Sequence, residues 1–249
     1  MEQPMLVFGA GLLAGAMNAA AGGGTFVTIP ALVFAGVPAV SANMTSTVAL
    51  FPGAFASVYA YRADFRDLNG VSVRTLLPVS LIGGVLGAIL LLVTPSRAFD
   101  VAIPWLLLMG VIAFAFGRQI GDFVSRYVTL GRPGLLTMQF LVAIYGGYFG
   151  GAVGILMLAV WSVFGVHDLR ATAGLRTLLV GSLNACAVVL FVFAGAVFWP
   201  QAMVMLAGGL IGGYFGARVA RTIEQQTLRI LISVLNAGIT AAFFWRVYG

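Results

Sequence analysis

The side chains that could bind a ligand in this chain cluster around two glycine breaks, one in each half. Around the first break lie an amide, three glycines and a hydroxyl, namely Asn18, Gly22, Gly23, Gly24 and Thr25. The second break contains Gly151 and Gly154. Each break stands before a new apolar segment, and the first turn of a helix offers N–H donors and a positive dipole end. We therefore predict an anion site at the two breaks, with close helix packing as the alternative role of the glycines.

A polar run follows the first break and opens the next apolar segment. Its amide and hydroxyl side chains belong to Asn43, Thr45, Ser46 and Thr47. Such groups can bind a substrate oxygen or hold helices together, and Ser41 at the start of the run is a candidate N-cap. We predict that at least one of these side chains contacts substrate.

The second half carries Arg176 where the first half carries Thr47, inside an otherwise apolar segment. An arginine in the middle of a membrane helix costs about 2.5–3.5 kcal/mol on insertion scales, so its presence calls for a reason. An oxyanion is a natural partner for a guanidinium group, which makes Arg176 a candidate substrate ligand. Alternatively, its side chain reaches the membrane interface or binds a backbone carbonyl.

Residues for catalysis or metal binding are scarce. The chain has one histidine, His167, and one cysteine, Cys186, so neither a nucleophile–base pair nor a metal-ligand set is apparent. Of its seven carboxylates, only Asp168 lies away from the predicted loops, and His167 and Asp168 can either begin a helix or carry protons. We predict that the protein is not an enzyme, has no catalytic residues and uses no metal or cofactor.

The composition is that of a membrane protein. Hydrophobic residues make up 61% of the 249 residues and charged residues 8%, with a mean hydropathy of +1.07. Soluble domains have about 45–50% apolar and about 25% charged residues. The net charge of +6 comes from basic residues spread between apolar segments, which indicates a lipid bilayer and no nucleic acid as partner. The first segment lacks a positive n-region, so we interpret it as a retained helix rather than a signal peptide.

An internal repeat organises the chain. A shift of 129 positions places Leu81-Ile82-Gly83-Gly84-x-x-Gly87-Ala88 on Leu210-Ile211-Gly212-Gly213-x-x-Gly216-Ala217. We predict an all-α membrane bundle of two repeats, residues 1–125 and 126–249, with about eight to ten membrane segments and broken or re-entrant helices. The predicted segments are Met5–Ala21, Phe26–Ala35, Ala42–Tyr61, Val71–Val93, Phe99–Phe116, Leu135–Phe149, Ile155–Phe164, Ala171–Phe193, Gln201–Ala220 and Leu228–Tyr248.

The loop charges predict that the two repeats are inverted. Three connections are rich in arginine: the loop after the third segment, the central linker and the loop before the last segment. Their arginines are Arg62, Arg66 and Arg74; Arg118, Arg126 and Arg132; and Arg218, Arg221 and Arg229. The positive-inside bias places these loops in the cytoplasm and both termini outside it. Inverted repeats with broken helices are typical of transporters whose substrate site lies near the membrane midplane.

The first half resembles a known family. The pattern Gly11-x-x-x-Gly15-x-x-Asn18-x-x-x-Gly22-Gly23-Gly24, then Pro30-Ala31-Leu32, Gly36-Val37-Pro38 and Ala42-Asn43-x-Thr45-Ser46, is similar to the TauE/SafE sulfite exporter family. The resemblance implies export of sulfite and organosulfur anions such as sulfonates across the bacterial inner membrane. It also implies site roles for Gly22, Gly23, Gly24, Asn43, Thr45 and Ser46. The second half departs from the pattern at Gly151-Ala152-Val153-Gly154 and around Arg176.

We therefore expect a transporter that exports a small anion, with sulfite or a related organosulfur anion as the first candidate. Two alternatives stay open at the level of sequence. The transported solute could instead be a carboxylate or a metal ion, or the protein could be a membrane scaffold or assembly factor that transports nothing. A homodimer is a further expected partnership.

Overall fold

Ten α-helices form the protein in the computed structural model, which describes residues 2–20, 23–60, 62, 67–68, 71–125, 127, 131–166, 172–220 and 225–249. The first five are α1 (Glu2–Ala20), α2 (Thr25–Phe34), α3 (Ala39–Ala60), α4 (Val73–Val93) and α5 (Ser96–Val124). The second five are α6 (Arg132–Tyr148), α7 (Val153–Val163), α8 (Ala173–Phe193), α9 (Trp199–Ala220) and α10 (Gln225–Tyr248).

Each of the ten predicted segments corresponds to one helix, and two local predictions were wrong. Helix α5 continues through Arg118 to Val124, so the central linker is shorter than predicted and Arg132 is already the first residue of α6. No proline stands in this stretch, and Gly117 and Gly121 alone do not end the helix, so it extends past its apolar part. Ser41 is not an N-cap, because α3 begins at Ala39 and the Ala42 N–H already donates to the Pro38 carbonyl.

The helices are those of a polytopic membrane protein. Among the described residues, four helical stretches are long and apolar enough to cross a bilayer, over residues 73–93, 96–117, 173–193 and 230–248. Large apolar side chains also cover the outer surface; Phe193 is 86% and Trp245 80% exposed, as expected for side chains in contact with lipid. Helices α2 and α7 have 10 and 11 residues, so at 1.5 Å per residue each spans roughly half of a ~30 Å hydrocarbon core.

Glycines allow α1 to pack on α9 and α4 on α6 with backbones in direct contact. On α4, a Cβ at Gly83 would lie 2.7 Å from the Ala143 Cβ of α6. On α9, a Cβ at Gly216 would lie 2.7 Å from the Ala16 Cβ of α1. Both glycines belong to the repeated glycine motif, Gly83 to its first copy and Gly216 to its second, and their contacts confirm that this motif serves helix packing.

The two halves repeat the same backbone turns. Gly23 and Ala152 stand 129 positions apart before α2 and α7, and both have positive φ, 92° and 58°. The equivalent helices α5 and α10 run antiparallel. The ring of Trp105, early in α5, lies 5.1 Å from the ring of Phe244 near the end of α10, while Phe114 further along α5 packs with the earlier Ile232.

Candidate substrate site

The first break is a tight turn between α1 and α2. Gly23 takes the left-handed φ that glycine adopts without strain. The Gly24 N–H donates to Asn18 Oδ1 at 2.8 Å, so this amide caps the break from α1. A Cβ on Gly24 would lie 2.6 Å from the Ala14 carbonyl oxygen, so no side chain fits there. Thr25, which is half-buried, is the first residue of α2.

Two hydroxyls of the predicted polar run join α3 to its neighbours. The Ser46 and Thr28 hydroxyls, both fully buried, are hydrogen-bonded at 2.6 Å and link α3 to α2. Thr45 Oγ1 accepts the Phe198 N–H at 3.0 Å, which ties α3 to the start of α9. These bonds fix the part of the polar run that lies between Asn43 and Thr47, the two residues that reach the second break.

The second break collects residues from α3 and α8. Asn43 Nδ2 donates to the Tyr148 carbonyl at the end of α6, at 2.8 Å, and Thr47 Oγ1 lies 3.7 Å from where a Cβ on Gly150 would stand. On the other side, Arg176 Cδ lies 3.3 Å from the Cβ position of Gly154, in the first turn of α7. Asn43, Thr47 and Arg176, which were predicted separately, therefore meet at one break.

The two breaks share one apolar cluster. Met17, Phe114 and Ile232 form its buried centre, and Val27 of α2 and Ile155 of α7 pack against it. Both of these residues lie in the first turn of their helix. The N-terminal ends of α2 and α7 therefore pack against the same group of side chains.

One polar residue at the first break escaped the sequence analysis. Asn236 of α10 is fully buried, and neither end of its amide has a hydrogen-bond partner among the described residues. Its Nδ2 lies 3.5 Å from where a Cβ on Gly23 would stand. An unpaired buried amide costs about 1–3 kcal/mol, so this is an expensive residue to retain. The available signal was an asparagine inside the apolar stretch Ile230–Ile239.

Several residues that were singled out from the sequence are not among those that meet at the second break. Gly151 lies in the turn before α7, where a Cβ would be 2.7 Å from the Phe149 ring. Gly22, His167 and Asp168 lie outside the described residues. Cys186 is half-buried on α8. Within the described part of the chain, no group of three or more His, Cys, Asp or Glu side chains could hold a metal ion.

Comparison with known proteins places this geometry in a family. The sequence model of the family described as sulfite exporter TauE/SafE matches residues 7–243, which include both breaks and all ten helices in whole or in part. The chain belongs to the TauE/SafE sulfite exporter family. This membership confirms the resemblance drawn from the glycine and Asn43 patterns.

Individual TauE/SafE relatives are similar over almost the whole chain. A probable membrane transporter protein of Sinorhizobium sp is 30% identical over 234 residues, 92% of this chain and 88% of the relative. One of Haemophilus influenzae is 30% identical over 240 residues, 95% of this chain and 92% of the relative. The probable membrane transporter protein YfcA of Escherichia coli K12 is 28% identical over 254 residues, which cover 100% of this chain and 93% of the relative. No solved structure matches the chain. The protein is thus a membrane transporter of the TauE/SafE family, with a small solute as its substrate.

Proposed function

We propose that this transporter exports small anions, with sulfite or a related organosulfur anion such as a sulfonate as substrate, across the bacterial inner membrane. The observation that carries the proposal is the position of Arg176 beside Gly154, at the N-terminal end of α7. A guanidinium group at this end of a helix adds to the positive dipole end rather than offsetting it. A small oxyanion is the ligand that this combination favours.

The surrounding side chains supply neutral polar groups near the same place. Asn43 Oδ1 is buried and has no hydrogen-bond partner in the described part of the chain, but as an acceptor it can bind only a protonated oxygen of an anion. Asn43 Nδ2 and the Thr47 hydroxyl already donate to the Tyr148 and Asn43 carbonyls, so these side chains hold the break in place. The second break therefore takes its anion-binding donors from Arg176 and the start of α7, and so few contacts suit a substrate that must also leave.

The membrane potential provides a driving force for export. An inside-negative potential favours anion exit by about 2.3 kcal/mol per charge per 100 mV. Export in this direction needs no coupling ion, and the carboxylates of the chain, apart from Asp168, lay in or beside the loops predicted from the sequence. We therefore propose facilitated exit of the anion down its electrochemical gradient.

The same proposal includes two inverted membrane repeats, 1–125 and 126–249, with both termini outside the cytoplasm. It is supported by the antiparallel arrangement of α5 and α10, which are equivalent in the repeat. Arg132 Nη2 at the start of α6 also donates to Thr75 Oγ1 near the start of α4, at 3.5 Å, so the connections that precede these two helices lie close together. Two of the three basic connections thus lie at one end of the bundle, as the positive-inside bias requires.

Flux into proteoliposomes tests the function. Purified protein should move sulfite down a gradient, in a screen that also includes sulfate, sulfonates and carboxylates. Arg176→Ala should lower sulfite flux about tenfold or more, the loss expected for a hydrogen bond to a charged ligand, and Arg176→Lys should retain part of it. Arg97→Ala, which removes an exposed arginine in the first turn of α5, is the matched control and should transport normally.

Two outcomes would contradict this proposal in different ways. Sulfite flux through Arg176→Ala at the wild-type rate would remove Arg176 from the site. Absence of flux for every anion in the screen, together with a stable partner in pull-down experiments, would favour the scaffold function instead.

Accessibility of introduced cysteines tests the inverted topology. In a Cys186→Ser background, Arg66→Cys and Ala196→Cys should react with impermeant thiol reagents from opposite sides of the membrane. Labelling of both positions from the same side would rule out the inverted arrangement.

A further inference from the structure

The Asn236 amide is the feature that the proposed site at the second break does not explain. It lies in the middle of α10, it is fully buried, and both its oxygen and its nitrogen lack a hydrogen-bond partner among the described residues. The backbone around it is regular, since the Thr240 hydroxyl donates to the Asn236 carbonyl at 2.7 Å one turn later. The unpaired group is therefore the side chain alone.

Packing does not require an asparagine at this position. The repeat equivalent of Asn236, 129 positions earlier, is Leu107 on α5, which is also fully buried. Leucine has the same number and branching of side-chain heavy atoms as asparagine, and it carries no polar atoms that need partners. An unpaired buried amide lowers stability relative to such a residue, so its retention indicates a ligand rather than a structural role.

The amide points at the first break. Its Nδ2 lies 3.5 Å from the position of a Cβ on Gly23, whose missing side chain leaves room beside the start of α2. The same Cβ position is 3.7 Å from the Phe26 ring and 4.0 Å from the Phe114 ring, so the walls of this space are apolar. In such surroundings a hydrogen bond to a charged ligand is stronger than in water.

We propose that Asn236 is a substrate-contacting residue, whose side-chain amide donates to an oxygen of the transported oxyanion at the N-terminal end of α2. The inference rests on the proposed anion transport and extends it to the first break. The anion then meets a neutral amide beside α2 and a guanidinium beside α7, two helices whose first turns pack against the cluster formed by Met17, Phe114 and Ile232. The ligand class is a small oxyanion with accessible oxygens, such as sulfite or the head group of a sulfonate.

Two substitutions at Asn236 separate substrate contact from structure. Asn236→Leu copies the residue of the other half, and Asn236→Asp keeps the shape while replacing the donor with a carboxylate that repels anions. We expect both variants to lower sulfite flux into proteoliposomes about tenfold or more. The thermal unfolding midpoint of Asn236→Leu in detergent should equal or exceed that of the wild type. Gly238→Ala is the matched control on α10, because a Cβ there meets nothing within 4 Å, and it should leave flux unchanged.

Labelling provides a second readout that does not depend on the folding of the leucine variant. Asn236→Cys in a Cys186→Ser background should react with a methanethiosulfonate reagent that carries a sulfonate group. Methanesulfonate in excess should slow this reaction, because it occupies the same space.

The outcomes distinguish this inference from the proposed function. If wild type and Gly238→Ala transport sulfite and Asn236→Leu does so with unchanged rate and KM, Asn236 does not contact the substrate. Labelling of the introduced cysteine that is absent, or unaffected by methanesulfonate, would overturn the inference as well. If wild type and Gly238→Ala move no anion at all, the proposed function itself fails.

Discussion

The two breaks share a backbone turn but differ in the groups that they present. At the first break the turn residue is Gly23, the next residue is a glycine without room for a side chain, and the nearby polar groups are the neutral amides of Asn18 and Asn236. At the second break the turn residue is Ala152, the next residue is Val153, and a charged Arg176 lies against the helix start. The two breaks thus share a backbone turn, while the binding that we propose uses a neutral donor at the first and a cation at the second.

The two breaks also differ in whether the buried polar side chains near them have hydrogen-bond partners. Behind the second break, Trp161 Nε1 donates to Gln139 Oε1 at 3.0 Å, and Gln139 Nε2 donates to Ser80 Oγ at 2.9 Å. All three residues are fully buried, and their bonds join α4, α6 and α7. Beside the first break, the Asn236 amide is buried without such partners in the described chain. The first group of buried polar side chains holds helices together, whereas the Asn236 amide is the group that we propose binds a ligand.

The largest effect is expected when Gly24 of the first break is replaced by valine, the residue that stands at the equivalent position 153 of the second break. Gly24→Val places atoms against the Ala14 backbone, since a Cβ already lies 2.6 Å from its carbonyl oxygen. We expect a loss of about 3 kcal/mol, at the upper end for overpacking, and loss of flux. The measurement is thermal unfolding in detergent together with sulfite flux. Gly9→Ala, a change on α1 where nothing lies within 4 Å, should have little effect. A wild-type unfolding midpoint for Gly24→Val would show that both breaks tolerate a side chain.

An intermediate effect is expected when the hydrogen-bonded network of Trp161, Gln139 and Ser80 is broken. Trp161→Phe removes the indole donor and leaves the Gln139 oxygen buried, which should cost about 1–2 kcal/mol of stability. Sulfite flux at a temperature where the protein stays folded should remain near that of the wild type, in contrast to Asn236→Leu. Trp105→Phe removes an exposed indole that donates to Tyr248 and serves as control. A selective loss of flux in Trp161→Phe, with an unchanged unfolding midpoint, would show that this network also acts in transport.

The smallest effects are expected from exchanging the two turn residues. Gly23→Ala introduces a side chain at positive φ and should cost about 1 kcal/mol of stability. Ala152→Gly relieves a similar strain but loses a buried methyl worth about 0.8 kcal/mol, so the net change should stay within about 0.5 kcal/mol. Unfolding midpoints of both variants in detergent test this asymmetry. If the two unfolding midpoints shift by equal amounts in opposite directions, the methyl group of Ala152 contributes no stabilising packing.

The sequence predicted the fold in considerable detail. Ten apolar segments became ten helices, because a backbone in lipid must satisfy its own hydrogen bonds and a helix is the local way to do so. The 129-residue repeat and its glycine motifs predicted which helix faces come into close contact, since only small residues allow such an approach. Arg176 also stood out from sequence alone, because a charge inside an apolar segment is rare.

The tertiary structure decided which of these residues share a site. Hydropathy identifies Asn236 as a polar residue in a helix, but only the packing of α10 on α2 places its amide beside Gly23 and leaves it without a partner among the described residues. In the same way, the bonds of Thr45 and Ser46 to neighbouring helices separate them from Asn43 and Thr47, which reach the second break. The physical reason is that periodicity determines the form of each helix, whereas contacts between distant segments determine which polar atoms find partners.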